Sequence, residues 1–159
     1  MLTPFRYLFL LSFLTGINTI SSCNNDITLC ESSTSTLIGI GFYQMNFNPP
    51  FDTILPAVTI FGLGKIDSLF AKSSETNVHL PLNQNSDTTS FYIQPDTTGL
   101  ADTIQIIYTR TIHLISPACG FVTFYNIDSI NTTHHNIDSI YLETKTINNT
   151  NVENIQLFY

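Results

Sequence analysis

The chain has 159 residues, room for one domain. Hydrophobic residues make up 43% and charged residues 11%, which excludes a disordered polyelectrolyte. Acids outnumber basic residues 12 to 5, so no nucleic-acid partner is expected without a basic patch, and charge-driven binding to anionic lipid head groups is disfavoured.

The first element is an address. In "MLTPFRYLFLLSFLTGINTISSC" the single basic residue Arg6 precedes an apolar run from Leu8 to Leu14. A span across a ~30 Å bilayer core needs about 20 apolar residues, so this run is too short to be one. Residues 1–22 therefore read as a secretory leader. They end in Ile20-Ser21-Ser22-Cys23, which resembles the bacterial lipobox of an aliphatic residue, two small residues and cysteine. The resemblance implies acylation of Cys23, with two or three acyl chains giving stable anchoring. An incidental cysteine after an ordinary leader is the rival reading. Asp26 is a lone early acid rather than the dense acidic run of some surface-displayed lipoproteins, which favours an outer-membrane anchor facing the periplasm over surface display. Residues 23–35 are then a lipidated tether.

With Cys23 assigned to lipid, Cys30 and Cys119 remain, an even pair in an oxidising compartment, 89 positions apart. A disulfide between them is expected; two separate buried thiols are the alternative. No C-x-x-C or zinc-ligand spacing is present.

Residues 36–159 carry the fold. Isoleucine, threonine, phenylalanine and tyrosine are abundant and alanine is scarce, a strand-forming composition. In "TLIGIGFY", Ile38, Ile40 and Phe42 share one face and Gly39 and Gly41 the other. A Pro-rich connection follows, then "AVTIFGLG", a short strand ending in glycines. "GKIDSLFAK" is able to form one helical turn through Ile66, Leu69 and Phe70. "NVHLPL" and "TSFYIQ" are short strands between polar clusters. "DTIQIIYTRTIHLIS" alternates best, with Ile104, Ile106, Tyr108, Ile112 and Leu114 on one parity and Arg110 interrupting it, as a bend or by reaching a carboxylate. "CGFVTFYNI" is apolar on both faces, as a central strand is. "NIDSIYLET" and "VENIQLFY" close the chain. The expected fold is all-β, a single antiparallel β-sandwich of immunoglobulin-like or jelly-roll-like type, with a closed β-barrel as the alternative.

The string "NIDSI" occurs twice, at 126–130 and 136–140. It belongs to a wider habit: Asp52, Asp67, Asp87, Asp96, Asp102, Asp128 and Asp138 all precede Ser or Thr. Such an Asp opens a turn through its side chain and the aliphatic residue beyond enters a strand. The pattern also resembles an O-glycan acceptor of envelope proteins. The two copies predict one hairpin, 125–130 paired with 137–143 across a polar link at 131–136, with His134 and His135 at the exposed tip. Adjacent histidines on a strand point to opposite faces, so they are expected to hold no metal. His79 and His113 are isolated.

"GIGFY", "FGLGKIDSLF", "LPLNQNSDTTSFYI", "DTIQIIYTRTIHLISPACGF", "NIDSIYL" and "ENIQLFY" together resemble a family of small uncharacterised Bacteroidota lipoproteins, a domain of unknown function. The likeness runs roughly from Cys23 to Tyr159. It implies lipidation and the Cys30–Cys119 disulfide, and brings no activity with it. No G-x-S-x-G, H-E-x-x-H or phosphate loop is present, so no catalytic, cofactor or metal residue is assigned. The expected function is a membrane-anchored envelope lipoprotein with a structural or protein-interaction role, its partners the membrane and another envelope protein. The alternative is a lipid- or glycan-binding module using Tyr43, Phe47 and Phe51, and an enzyme without recognisable motif ranks last.

Overall fold

The computed structural model describes residues 29–45 and 51–159. Cys23, the leader and Phe47 lie outside them. The described residues form eleven strands and no helix: β1 Leu37–Gln44, β2 Phe51–Asp52, β3 Leu55–Gly62, β4 Ser68–Glu75, β5 Asn77–Pro81, β6 Thr88–Gln94, β7 Asp102–Ser116, β8 Gly120–Thr132, β9 Ser139–Leu142, β10 Thr146–Ile147 and β11 Glu153–Phe158. They make two sheets and no closed barrel. One is ordered β2-β1-β11-β9 with β5 also on β1; the other is β10-β8-β7-β6-β3-β4. This is a β-sandwich, antiparallel but for one pair, β1 beside β11, which run parallel.

Alternation explains which side chains meet between the sheets. Ile38, Ile40 and Phe42 of β1 are fully buried against Ile60, Ile93, Ile104, Ile106 and Ile127 of the other sheet, within one continuous core. Gly39 and Gly41 lie on the opposite face of β1, where β11 is close. A Cβ at Gly39 would collide with the Val152 carbonyl oxygen, so no larger residue fits without moving backbone. β11 bulges beside it: Gly39 is level with Glu153 and Ile40 with Ile155, leaving Asn154 over. Asn154 is buried, and its amide is fully used. Its Oδ1 accepts from the Gly39 N–H at 3.1 Å and its Nδ2 donates to the Thr144 and Thr146 carbonyls.

Two sequence expectations are corrected. The segment "GKIDSLFAK" forms no helical turn. Gly64, at a φ of 81°, sits in a tight turn, and β4 begins at Ser68. Ile66 is fully exposed and only Phe70 reaches the core, because β4 is an edge strand with irregular register against β3. The second correction concerns the duplicated NIDSI. Residues 125–130 lie in β8, paired with β7 and β10, whereas Ser139–Leu142 forms β9, paired with β11 in the other sheet. The two copies are not arms of one hairpin. The link between them crosses from sheet to sheet.

Candidate functional site

The longest hairpin, β7–β8, extends beyond the sandwich. Its first half is core: Ile104, Ile106 and Tyr108 face the opposite sheet, with Ile127 opposite Tyr108. A bulge at Asp128 shifts the register there. Tyr108 and Tyr125 meet edge to face at 5.1 Å, and the Tyr108 hydroxyl donates to the Asn83 carbonyl and meets Thr89 Oγ1 at 2.6 Å. Burial pushes the phenol of Tyr108 upward in pKa. Arg110 follows on the same face and reaches a carboxylate, with Nε 2.7 Å from Asp87 Oδ1 and Nη1 on the Gln84 carbonyl.

Past Arg110 the covering sheet ends. Ile112, Leu114 and Phe121 continue the core parity, with Leu114 directly opposite Phe121, yet they are 72%, 56% and 71% exposed. The sequence pattern placed Ile112 and Leu114 with the buried residues. They are exposed because no strand of the facing sheet reaches that far. On the other side of the hairpin His113 stacks on Phe124 at 4.4 Å.

The end of this arm is tied to the start of the chain. Cys30 and Cys119 are disulfide-bonded, with Cα atoms 4.8 Å apart, and Cys119 N–H donates to Ser116 Oγ in the turn. From Cys30 the chain returns to β1 by way of Ser33, whose carbonyl accepts from Asn149 Nδ2 at 2.9 Å.

At the opposite end of the sandwich lies Asp102, which sequence reasoning counted only as turn punctuation. Its carboxylate is 1% exposed and gathers the sheet-to-sheet link. It accepts from the Thr133 hydroxyl at 2.8 Å, from the N–H groups of His135, Asn136 and Ile137 at 2.8, 2.7 and 3.0 Å, and from His135 Nδ1 at 3.1 Å. Burial alone raises its pKa, but the hydrogen bonds from His135, Asn136, Thr133 and Ile137 outweigh burial and hold the carboxyl below the ordinary value. His134 Nδ1 meets the Ile137 carbonyl, so each histidine fastens the link in its own direction. No signal local to Asp102 could have revealed this, since its partners lie more than thirty residues along the chain.

The other nominated residues are dispersed. Tyr43 donates from its hydroxyl to Glu153 Oε1 at 3.0 Å, and burial followed by the Glu153 carboxylate raises its pKa. Tyr43 is level with Asp52 and Phe51 with Gln44, so Tyr43 and Phe51 point to opposite faces of the sheet and do not line one pocket. His79 Nε2 bonds the Asn151 carbonyl at 3.0 Å. Asp96 alone of the seven aspartates makes the expected local turn in full, accepting from Thr98 N–H, Thr98 hydroxyl and Gly99 N–H. An open cleft of about 470 Å³ lies between the β3–β4 turn and the β5–β6 loop, with Lys65 and Asp67 on one wall and Asn83 and Gln84 on the other. Among the described residues no three His, Cys, Asp or Glu side chains are grouped to hold a metal, and no helix is long and apolar enough to cross a membrane.

Neither a curated protein nor a solved structure matches the chain. A family description does match, over residues 57–159, from β3 through β11 and including both the β7–β8 arm and the Asp102 link. The chain belongs to this family of unknown function, DUF6452.

Proposed function

We propose that this protein is a lipid-anchored lipoprotein of the cell envelope whose β-sandwich has a structural or protein-interaction role. Cys23 is the acylated first residue of the mature chain, in an outer membrane and facing the periplasm. The observation that carries the reading is the lipobox-like Ile20-Ser21-Ser22-Cys23 after a short apolar run, seven positions before a cysteine that the fold uses in a disulfide. A Cys30–Cys119 disulfide suits an oxidising compartment. It also holds Cys30, seven positions after Cys23, against the β7–β8 turn. A packed core, with Ile112, Leu114 and Phe121 exposed together on one face of an arm, suits a domain that works by its surface.

The test replaces Cys23 with Ala in the full chain and fractionates cells. The Cys23→Ala chain is expected to escape signal cleavage at that position and to lose its acyl mass, and the wild-type chain to be extracted from membranes only by detergent. Identical processing and identical membrane retention of the two chains would overturn the reading.

A further inference from the structure

We infer that the outer end of the β7–β8 arm is a membrane-contact surface, resting on the lipid bilayer that holds the chain. The inference rests on the anchoring reading and names the partner of the exposed apolar face.

Three observations meet on this arm. Ile112, Leu114 and Phe121 lie on one face of it and are more than half exposed, although their parity is that of the core. The first described residues, Leu29 and Cys30, stand at this arm. Cys30 is bonded to Cys119 in the β7–β8 turn, and Cys23 stands seven positions earlier. At about 3.3–3.6 Å per residue, seven residues reach at most about 25 Å, so a bilayer holding Cys23 lies within that distance of the turn. Leu29, beside Cys30, is also exposed.

Charge is the third observation. The chain has twelve acids, but residues 103–127 hold none, while Arg110 and His113 lie among them. The acidic balance of the whole chain disfavours anionic head groups. Beside this arm stand Asp87, which is paired with Arg110, and Glu31, next to Cys30. An amphipathic surface that presents aliphatic and phenyl side chains without carboxylates enters the boundary between head groups and acyl chains to a depth of about 5–10 Å. Tethering makes a weak contact sufficient, because the anchor fixes the arm at high effective concentration over the lipid. The arm would then hold the sandwich at a set attitude, with the Asp102 end turned away from the membrane.

The chain contains no Trp, so a single introduced indole reports one site. Full-length chains carrying Phe121→Trp, or Leu100→Trp on the exposed β6–β7 loop at the other end, are purified from membranes. They are reconstituted into vesicles of phosphatidylethanolamine and phosphatidylglycerol with or without brominated acyl chains. Mass spectrometry reads the state of Cys23. If its thiol is unmodified the anchoring reading falls, and the thiol, the one outside the disulfide, is coupled to a maleimide lipid so that the arm is tested all the same. For an indole about 5–10 Å into the bilayer, emission of the Phe121→Trp chain is expected to fall at least about twofold in brominated vesicles, while that of the Leu100→Trp chain is unchanged. Equal quenching of the two chains, none in either included, overturns the inference. Blue-shifted emission from the Phe121→Trp chain that bromine does not quench also overturns it, since the arm is then covered by protein, a second copy or another envelope component.

Discussion

Replacing Asp102 with Ala should be among the most damaging single changes in the domain. The carboxylate receives five hydrogen bonds, three from consecutive backbone N–H groups of the link between β8 and β9. A hydrogen bond to a charged group contributes about 1.5–3 kcal/mol, and a buried donor left without a partner costs about 1–3 kcal/mol. These do not sum, because the link borders solvent at His135 and water can enter beside the His135 and Asn136 N–H groups. Ile137, however, is buried and its N–H has no such relief. The net cost should be about 3–5 kcal/mol, a large share of the roughly 5–15 kcal/mol of a typical domain. Denaturant unfolding of the oxidised protein measures it as a lower midpoint at unchanged slope. Asp102→Asn, which keeps the shape but turns an amide donor toward N–H groups, should also destabilise, by less. The pH dependence gives an independent check. Because the folded pKa lies below the ordinary 3.8, the contribution is complete above about pH 5, and is lost as pH falls through the ordinary value and then the folded one. Wild-type stability should therefore drop in acid more steeply than that of Asp102→Ala. A loss under about 1 kcal/mol for the Ala variant, or parallel acid profiles, would show that the link between the sheets is held by something other than this carboxylate.

Reduction of the disulfide, or Cys30→Ser, should lower stability by roughly 4–5 kcal/mol in the chain-entropy account of an 89-residue separation, less where the arm frays before the core; coincident unfolding curves with and without reductant would refute it. Gly39→Ala should cost about 1–3 kcal/mol, since the new Cβ meets the Val152 backbone oxygen, while Gly62→Ala, whose Cβ meets only the flexible Lys65 side chain, should be close to neutral in the same thermal melt. Equal melting points for those two variants would mean that β11 yields to β1 more easily than the packing suggests.

Much of the fold was legible in the sequence because strand periodicity is local. Ile38, Ile40 and Phe42 announce the inner face of β1, and Ile104, Ile106 and Tyr108 that of β7. Where each strand goes is not local. The two NIDSI copies have the same turn chemistry and the same aliphatic flanks, so either could pair with the other. Their separation into different sheets is decided by Asp102 seizing the link and by β9 finding β11, contacts no short window contains. Parallel pairing of β1 with β11 joins strands more than a hundred residues apart. Ile112 and Leu114 show the complementary failure: alternation says which side a residue faces, never whether anything stands opposite. The disulfide was readable because cysteine counting needs only an even pair and a compartment.

The two ends of the sandwich differ in a way that follows from these same facts. At one end a carboxylate is buried, and it is tolerated because the chain brings five donors to it; Asp96 and Asp138 lie at that end as well, the first satisfied by its own turn. At the other end apolar side chains are exposed on an acid-free arm, and the sandwich supplies nothing to cover them. At the first end the buried charge is answered within the chain. At the second the exposed aliphatic surface is not, and in water it is a standing cost of about 25 cal/mol per Å². The Cys30–Cys119 disulfide fastens the segment before β1 to that uncovered arm, so the attachment of that segment and the unfilled surface are a single feature.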